Sequence, residues 1–137
     1  MGKHIRDVMT PSPTTVKADQ PATEAAKLMR EADAGMIPVV DDGDIFGTVT
    51  DRDIVVRVVA AGKDPQSTPV REIASTDPIT VEPDQDLNDA LELMARHQVR
   101  RLPVVEEGRL IGVVAQADLA READERKVGE AVEQISK

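Results

Sequence analysis

The chain repeats its own pattern after 65 positions without a gap, and this duplication constrains the fold more than any other feature. The matched pairs include Met29 with Met94, Gly43 with Gly108, Gly47 with Gly112, Asp53 with Asp118, and Pro38–Val40 with Pro103–Val105. They fall on turns, apolar runs and one acid, where backbone geometry is most demanding. A unit duplicated within one domain-sized chain predicts two similar halves packed about a pseudo-twofold axis. The cleft between such halves is the first place to look for function.

Composition limits the chemistry that is available. The 137 residues suffice for a genuine core, and aliphatic side chains must fill it because Phe46 is the only aromatic residue. Valine is frequent and clustered, which is typical of strands. Cysteine is absent, which excludes disulfides, a thiolate nucleophile and a cysteine-based metal site.

Charge and hydropathy indicate the kinds of partner. The formal net charge is −9, from 26 acids and 17 bases, so nucleic acid is an unfavourable partner. One basic group stands out: Arg96, His97, Arg100 and Arg101. It is too small for a duplex but suits one small phosphorylated ligand. The chain opens without a signal-peptide pattern and has no apolar run of membrane-spanning length, so we expect a soluble cytoplasmic protein without membrane contact.

Each repeat predicts the same series of elements. In the first repeat these are a helical turn at Ile5–Met9, an extended piece at Thr14–Val16, a helix at Ala22–Ala34, strands at Ile37–Val40 and Ile45–Thr50, and a helix from Asp51 to about Ala61. In the second they are a turn at Val70–Ala74, an extended piece at Pro78–Val81, a helix at Leu87–Gln98, strands at Leu102–Val105 and Leu110–Val114, and a helix from Ala117. Gly43 and Gly108 supply the positive φ angles that the two hairpin turns require.

The repeats divide the chain into four parts. We expect repeat one at 5–61, a linker at 62–69, repeat two at 70–126 and a C-terminal amphipathic helix at 127–137. The apolar stripe of that last helix is Val128, Ala131, Val132 and Ile135. Packing on its own domain and a strap across a partner subunit both remain open for it.

The order of elements resembles the cystathionine-β-synthase (CBS) repeat, and two in tandem resemble a CBS pair, or Bateman module. Ile37–Val40 with Gly47–Asp53 carry the resemblance in the first copy, and Leu102–Val105 with Gly112–Asp118 in the second. The chain is also similar to stand-alone two-repeat CBS proteins of actinobacteria. The resemblance implies an α/β (α+β) fold of two tandem repeats, each a small three-stranded sheet with flanking helices.

Family resemblance also implies a class of function. CBS pairs usually bind adenosine-containing nucleotides between the repeats, commonly form disc-shaped dimers, and sense rather than catalyse. The expected ligand is AMP, ADP, ATP or S-adenosylmethionine, with no required cofactor, and the regulated protein must be another molecule. The alternative is a scaffold or stress-response interaction protein that keeps the fold and uses no ligand.

The first candidate site combines residues of both repeats. Carboxylates accept hydrogen bonds from ribose hydroxyls, and guanidinium groups suit phosphates. By resemblance to the family motif, Asp53 would hold the ribose, Thr50 would contact the phosphate, and Arg100 and Arg101 would face the phosphates from the other repeat. Helix capping by Asp51 and Asp53, a strand-end role for Thr50 and a solvated pair of arginines are the competing interpretations.

A second candidate site is expected to be weaker. Asp118 keeps the acid, but Ala115 replaces the hydroxyl, and Gly35 and Met36 stand where the first site has two arginines. We therefore predict two sites of unequal affinity.

An adenine ring needs apolar walls and a few backbone polar groups. The candidate walls are Ile37, Pro38, Leu102 and Pro103, with backbone groups from Thr14, Thr15, Ile79 and Thr80. All of them also suit plain core packing, which we expect to be the larger part of their role.

Other chemistries have little support in the sequence. No nucleophile stands in a recognisable elbow, and the acids at the hairpin turns lack calcium-loop spacing, so we expect neither an enzyme nor a metal site. Val55, Val56, Val58 and Val59 exceed what one face of a short helix needs, which predicts a homodimer contact. A helix wholly buried between the two repeats is the alternative.

Overall fold

A computed structural model describes residues 3–122, and these form two compact units. Unit A comprises residues 12–78 and 105–110, and unit B comprises residues 3–11, 79–104 and 111–122. Residues 5–11, which open the first repeat, therefore belong to unit B with most of the second repeat. Residues 70–78, which open the second repeat, belong to unit A with most of the first repeat. The predicted C-terminal helix at 127–137 lies outside the described residues.

The elements follow the predicted order. In chain order they are α1 (Ile5–Val8), β1 (Thr10–Pro11), β2 (Val16–Lys17), α2 (Ala22–Ala32), β3 (Met36–Asp41), β4 (Asp44–Thr50), α3 (Asp51–Ile54), a π-helix (Val55–Val59), a 3-10 turn (Val70–Glu72), α4 (Leu87–His97), β5 (Arg101–Glu106) and β6 (Arg109–Ala115), and residues 116–122 are helical. The predicted mixture of strands and helices is thereby confirmed. None of the helices described in residues 3–122 has the length and apolar character needed to cross a bilayer.

Unit A is built on the β3–β4 hairpin. Asp42 and Gly43 both have positive φ, 53° and 86°, as a tight two-residue hairpin turn requires. β2 adds to the hairpin in parallel, with Val16 opposite Val39. Helix α2 contributes Ala22, Ala25 and Met29 to the core at helical spacing. The core of unit A consists of Val16, Ala18, Ala22, Ala25, Met29, Ile37, Val39, Val49, Val58, Val70, Ile73 and Ala74.

Unit B repeats this plan with its own partners. Helix α4 begins where the Asp86 carboxylate accepts a hydrogen bond from the Asn88 backbone N–H at 3.1 Å. β5 pairs with β6, and the short β1 runs antiparallel to β6, with Thr10 opposite Val113. The core of unit B consists of Ile5, Val81, Leu87, Ala90, Met94, Leu102, Val104, Val114 and Leu119.

Gly47 and Gly112 permit close backbone approaches. A Cβ placed on Gly47 would overlap the carbonyl oxygen of Ser75 and lie 3.0 Å from the carbonyl carbon of that residue. A Cβ on Gly112 would lie 2.6 Å from the Met9 sulfur. The segment that opens each repeat is thus seated against a glycine in the other repeat, which agrees with the close-packing interpretation of both glycines.

The helix that follows β4 differs from its prediction. The sequence predicts an α-helix from Asp51 to about Ala61, but the α-helical part ends at Ile54 and a π-helix covers Val55–Val59. The backbone N–H of Ala60 donates to the carbonyl of Val55 at 2.8 Å, which is the i to i+5 pattern. This segment has a low α-helix propensity, because its β-branched valine side chains crowd the preceding helical turn.

Candidate functional site

The end of β4 and the start of α3 form a reciprocal cap. The backbone N–H of Asp53 donates to Thr50 Oγ1 at 3.1 Å, and the backbone N–H of Thr50 donates to Asp53 Oδ2 at 2.9 Å. This is a capping box, in which each side chain satisfies a backbone donor of the other residue. The capping interpretation of Asp53 is therefore confirmed, and the cap holds both candidate ligand-binding side chains in one orientation.

One oxygen of the Asp53 carboxylate stays available. Within residues 3–122, Oδ1 accepts no hydrogen bond, and the closest cation is Arg57, whose Nε lies 3.9 Å away. The Asp53 side chain is 13% exposed, so this oxygen is partly shielded from water. A carboxylate oxygen offers two lone pairs, so the arrangement can accept a ligand hydroxyl at Oδ1 without giving up the cap.

Two features of this site are not among the sequence predictions. The first is the part of Thr50 in the cap: capping by Asp53 was among the interpretations, but the return bond from the Asp53 backbone N–H to the Thr50 hydroxyl was not, although a threonine followed three residues later by an acid is close to the capping-box pattern. The second is the contact of Asp53 with Arg57, which their four-residue spacing on a helix would have indicated. Both signals lie within the first repeat and need no knowledge of the rest of the fold.

The corresponding acid of the second repeat is held differently. Asp118 lies in the helical residues 116–122, and its carboxylate accepts a hydrogen bond from the Arg121 guanidinium. Its side chain is 35% exposed, against 13% for Asp53. Ala115 has no hydroxyl with which to build a capping box. The two acids match in sequence but differ in burial and in partner.

The two candidate arginines lie in unit B. Arg100 and Arg101 are exposed, and Arg101 begins β5. The carbonyl of Arg100 accepts a hydrogen bond from the backbone N–H of Gln116 at 2.8 Å, which fixes the main chain at this point. Because Asp53 and Thr50 belong to unit A, the predicted convergence of these arginines on the ribose acid stays a prediction.

The candidate adenine walls are mostly core residues. Ile37 and Leu102 are 1% exposed and belong to the cores of units A and B. Pro38 and Pro103 are buried as well. The polar candidates are more open: Thr14 is exposed, and Thr15, Ile79 and Thr80 are half-buried. Core packing is therefore the observed role of the four wall residues, and their contact with an adenine ring stays a prediction.

Comparison with known proteins identifies the repeat. The model of the family described as "CBS domain" matches residues 5–60 and again residues 70–125. The chain belongs to the CBS-domain family. It is 40% identical over 131 residues to Hypoxic response protein 1 of Mycobacterium tuberculosis, covering 95% of this chain and 92% of that protein. The predicted similarity to actinobacterial two-repeat CBS proteins is thus confirmed.

Two solved CBS structures share the fold. One is Hypoxic Response Protein I with two coordinated zinc ions, at 41% identity and a TM-score of 0.80, covering 87% of this chain and 98% of that one. The other is CBSX2 in complex with AMP, at 28% identity and a TM-score of 0.79, covering 92% and 99%. Among residues 3–122 of the present chain, no group of three or more His, Cys, Asp or Glu side chains is placed to hold a metal ion.

Proposed function

We propose that this CBS-pair protein is a non-catalytic sensor of an adenosine-containing nucleotide. Asp53 would accept the ribose hydroxyls, Thr50 would contact the phosphate, and Arg100 and Arg101 would supply positive charge for the phosphates. Occupancy would signal through dimer geometry: it would shift the population between two arrangements of the homodimer, to the extent that the ligand binds one of them more tightly.

The observation that carries the proposal is the state of the Asp53 carboxylate. One oxygen is held by the Thr50 backbone, and the other accepts no hydrogen bond within residues 3–122 although the side chain is only 13% exposed. A shielded acceptor with free lone pairs is the group that a ribose diol needs. The AMP complex of CBSX2, a relative of the same fold, supports the choice of ligand class.

Isothermal titration calorimetry with AMP, ADP, ATP and S-adenosylmethionine tests the proposal, with GMP as the matched purine control. We expect at least one adenosine compound to bind, and the site of Asp53 to be stronger than that of Asp118. The reason is that Asp118 is paired with Arg121, more exposed, and next to an alanine where the other site has a hydroxyl. Two equal sites would contradict the expected asymmetry.

The same titration decides about the alternative function. If no adenosine compound binds, a ligand-independent scaffold or stress-response interaction protein becomes the better account. The ion pair of Asp118 with Arg121 is the observation that favours this alternative, because it occupies the second acid with a side chain of the protein itself.

We also propose that the π-helix supplies a homodimer contact. Val58 is fully buried, whereas Val55, Val56 and Val59 are 58%, 49% and 68% exposed in the single chain. Three large apolar side chains within five residues form a patch that burial against a second copy would stabilise, by about 25 cal/mol for each Å² removed from water.

A Val59→Ser variant tests the contact. Removing two exposed methyl groups from each copy is expected to raise the dimer dissociation constant about a hundredfold, because about 1.4 kcal/mol of apolar burial is lost in each of the two copies. Sedimentation velocity over a range of protein concentrations measures it. Thr76→Ser, at an exposed position outside the π-helix, is the control and should leave the constant unchanged. A wild-type chain that is monomeric at micromolar concentration would rule out this contact.

A further inference from the structure

Arg57 connects the candidate ribose acid to a second segment of unit A. Its guanidinium Nη1 donates to the backbone carbonyl of Ile73 at 3.0 Å, and its Nε lies 3.9 Å from Asp53 Oδ1. One planar group therefore contacts a main-chain carbonyl on one side and stands beside the uncommitted carboxylate oxygen on the other. Arginine suits this arrangement because its donors point in fixed directions from a rigid fork.

The segment that Arg57 reaches is tightly held. Ile73 follows the 3-10 turn and is fully buried in the core of unit A. The next two backbone N–H groups are also bonded: Ala74 donates to the carbonyl of Val70 and Ser75 to that of Thr48, both at 2.9 Å. Residues 73–75 therefore bridge the turn that opens the second repeat and the strand that leads into the cap.

These contacts form a closed path within unit A. Thr48 lies in β4, which ends at Thr50, and Thr50 holds Asp53 through the reciprocal cap. Asp53 stands beside Arg57, which bonds back to residue 73. A movement of Asp53 Oδ1 therefore changes the ion pair with Arg57, and a movement of residues 73–75 weakens the hydrogen bond from Arg57 to the Ile73 carbonyl. The π-helical register at Val55–Val59 coincides with this path, and π-turns occur frequently at functional sites.

We propose that Arg57 is a positioning residue: bonded to the Ile73 carbonyl, it holds Asp53 Oδ1 in the orientation that receives a ribose hydroxyl. This inference rests on the nucleotide site proposed above and adds its regulation. Because coupling between two events is reciprocal, a nucleotide bound at Asp53 stabilises the Arg57–Ile73 contact and thereby protects residues 73–75. The protection of residues 73–75, in the segment that opens the second repeat, then depends on whether a nucleotide is bound at Asp53.

The test compares Arg57→Met with Arg52→Met in the full chain. Methionine keeps most of the length and the apolar stem of arginine but removes the charge and the donors. Arg52 is the matched control because it lies in α3, is exposed, and makes no side-chain hydrogen bond or ion pair within residues 3–122. By AMP calorimetry, we expect Arg57→Met to weaken binding about fivefold and Arg52→Met to change it less than twofold.

The slowing of hydrogen exchange on adding AMP is the readout that a purely structural role of Arg57 would not move. Without ligand, Arg57→Met should exchange faster than wild type at the amides of Ala74 and Ser75, and Arg52→Met should not. Saturating AMP should slow both amides in the wild type and leave them unchanged in Arg57→Met. Arg57→Lys keeps the charge but has one nitrogen in place of the fork, so it should restore binding only in part.

The outcomes separate this inference from the proposed function. Flat titrations for the wild type with every adenosine compound overturn the nucleotide site and, with it, the regulation. If the wild type binds AMP and Arg57→Met binds it equally well, the site stands and the positioning role of Arg57 is wrong. Full recovery by Arg57→Lys, or equal protection of Ala74 and Ser75 by AMP in Arg57→Met, would likewise show that the bridge to Ile73 carries no coupling.

Discussion

Asp53→Asn is expected to weaken the binding of AMP to the stronger site by about 10- to 100-fold. Hydrogen bonds to a charged group contribute about 1.5–3 kcal/mol, and each 1.4 kcal/mol is a factor of ten in the dissociation constant. Asparagine loses the charge but keeps an oxygen that can accept the Thr50 backbone N–H, so the cap at the start of α3 is retained. Isothermal titration calorimetry measures the change in affinity.

Asparagine, rather than alanine, distinguishes a loss of AMP binding from a loss of helix stability. Asp53→Ala would remove the acceptor of the cap as well as the charge, so a loss of binding could reflect a loosened α3. Thermal unfolding of Asp53→Asn should therefore stay near that of the wild type. Asp118→Asn is the matched control, since it removes the corresponding acid of the second repeat. Equal losses in the two variants, or none in Asp53→Asn, would show that Asp53 does not hold the ligand.

Gly47→Ala is expected to lower the free energy of unfolding by about 2–5 kcal/mol, through overpacking and loss of backbone hydrogen bonds. The added methyl would overlap the Ser75 carbonyl, which is main chain and cannot turn aside. The bonds at risk are the reciprocal pair between Thr48 and Ser75, at 3.0 and 2.9 Å. Because a domain of this size is stable by about 5–15 kcal/mol, the loss is a large fraction of the total.

The equivalent glycine of the second repeat supplies the control. At Gly112 the nearest atom to an added methyl is the Met9 sulfur, at 2.6 Å, and a methionine side chain can move to another rotamer. The Thr10 carbonyl oxygen, at 2.9 Å, requires a small backbone shift. Gly112→Ala should therefore cost about 1–2 kcal/mol in urea unfolding, less than Gly47→Ala. A reversed order would contradict the geometry of these two approaches.

Much of the fold follows from local patterns. The first hairpin was predictable because Asp42 and Gly43 are residue types that tolerate positive φ between two apolar runs. In the second hairpin Gly108 alone carries this signal, since Glu107 also has positive φ although glutamate does not favour it. The α2 and α4 helices were predictable because apolar residues recur at helical spacing, and their predicted ends differ from the observed ones by one or two residues. Because the chain is duplicated, each element could be predicted from two matching stretches of sequence.

The pairings between distant segments were not predictable in the same way. β1 pairs with β6, more than a hundred positions away, and the Ser75 segment pairs with β4. Two-residue strands are too short to show a hydrophobic periodicity. The glycines at 47 and 112 indicated that another segment packs closely there, but not which segment. The π-helix was missed because a valine-rich run does not distinguish an i+4 from an i+5 hydrogen-bond register.

At the candidate site, the sequence indicates that Thr50 and Asp53 lie close together but not how they contact each other. The resemblance to the family motif assigns Thr50 and Asp53 to a ligand, and the structure joins them to each other as partners in a cap. Arg57 is not among the predicted site residues, although an arginine four residues after an acid on a helix is a local signal that the two side chains lie side by side.

A crystal structure of the protein with AMP tests the central claim most directly. The account predicts a ribose hydroxyl within hydrogen-bond distance of Asp53 Oδ1, with Oδ2 still accepting the Thr50 backbone N–H. AMP bound elsewhere, with the Asp53 carboxylate still bonded to the Thr50 backbone and beside Arg57 without a ligand contact, would contradict it.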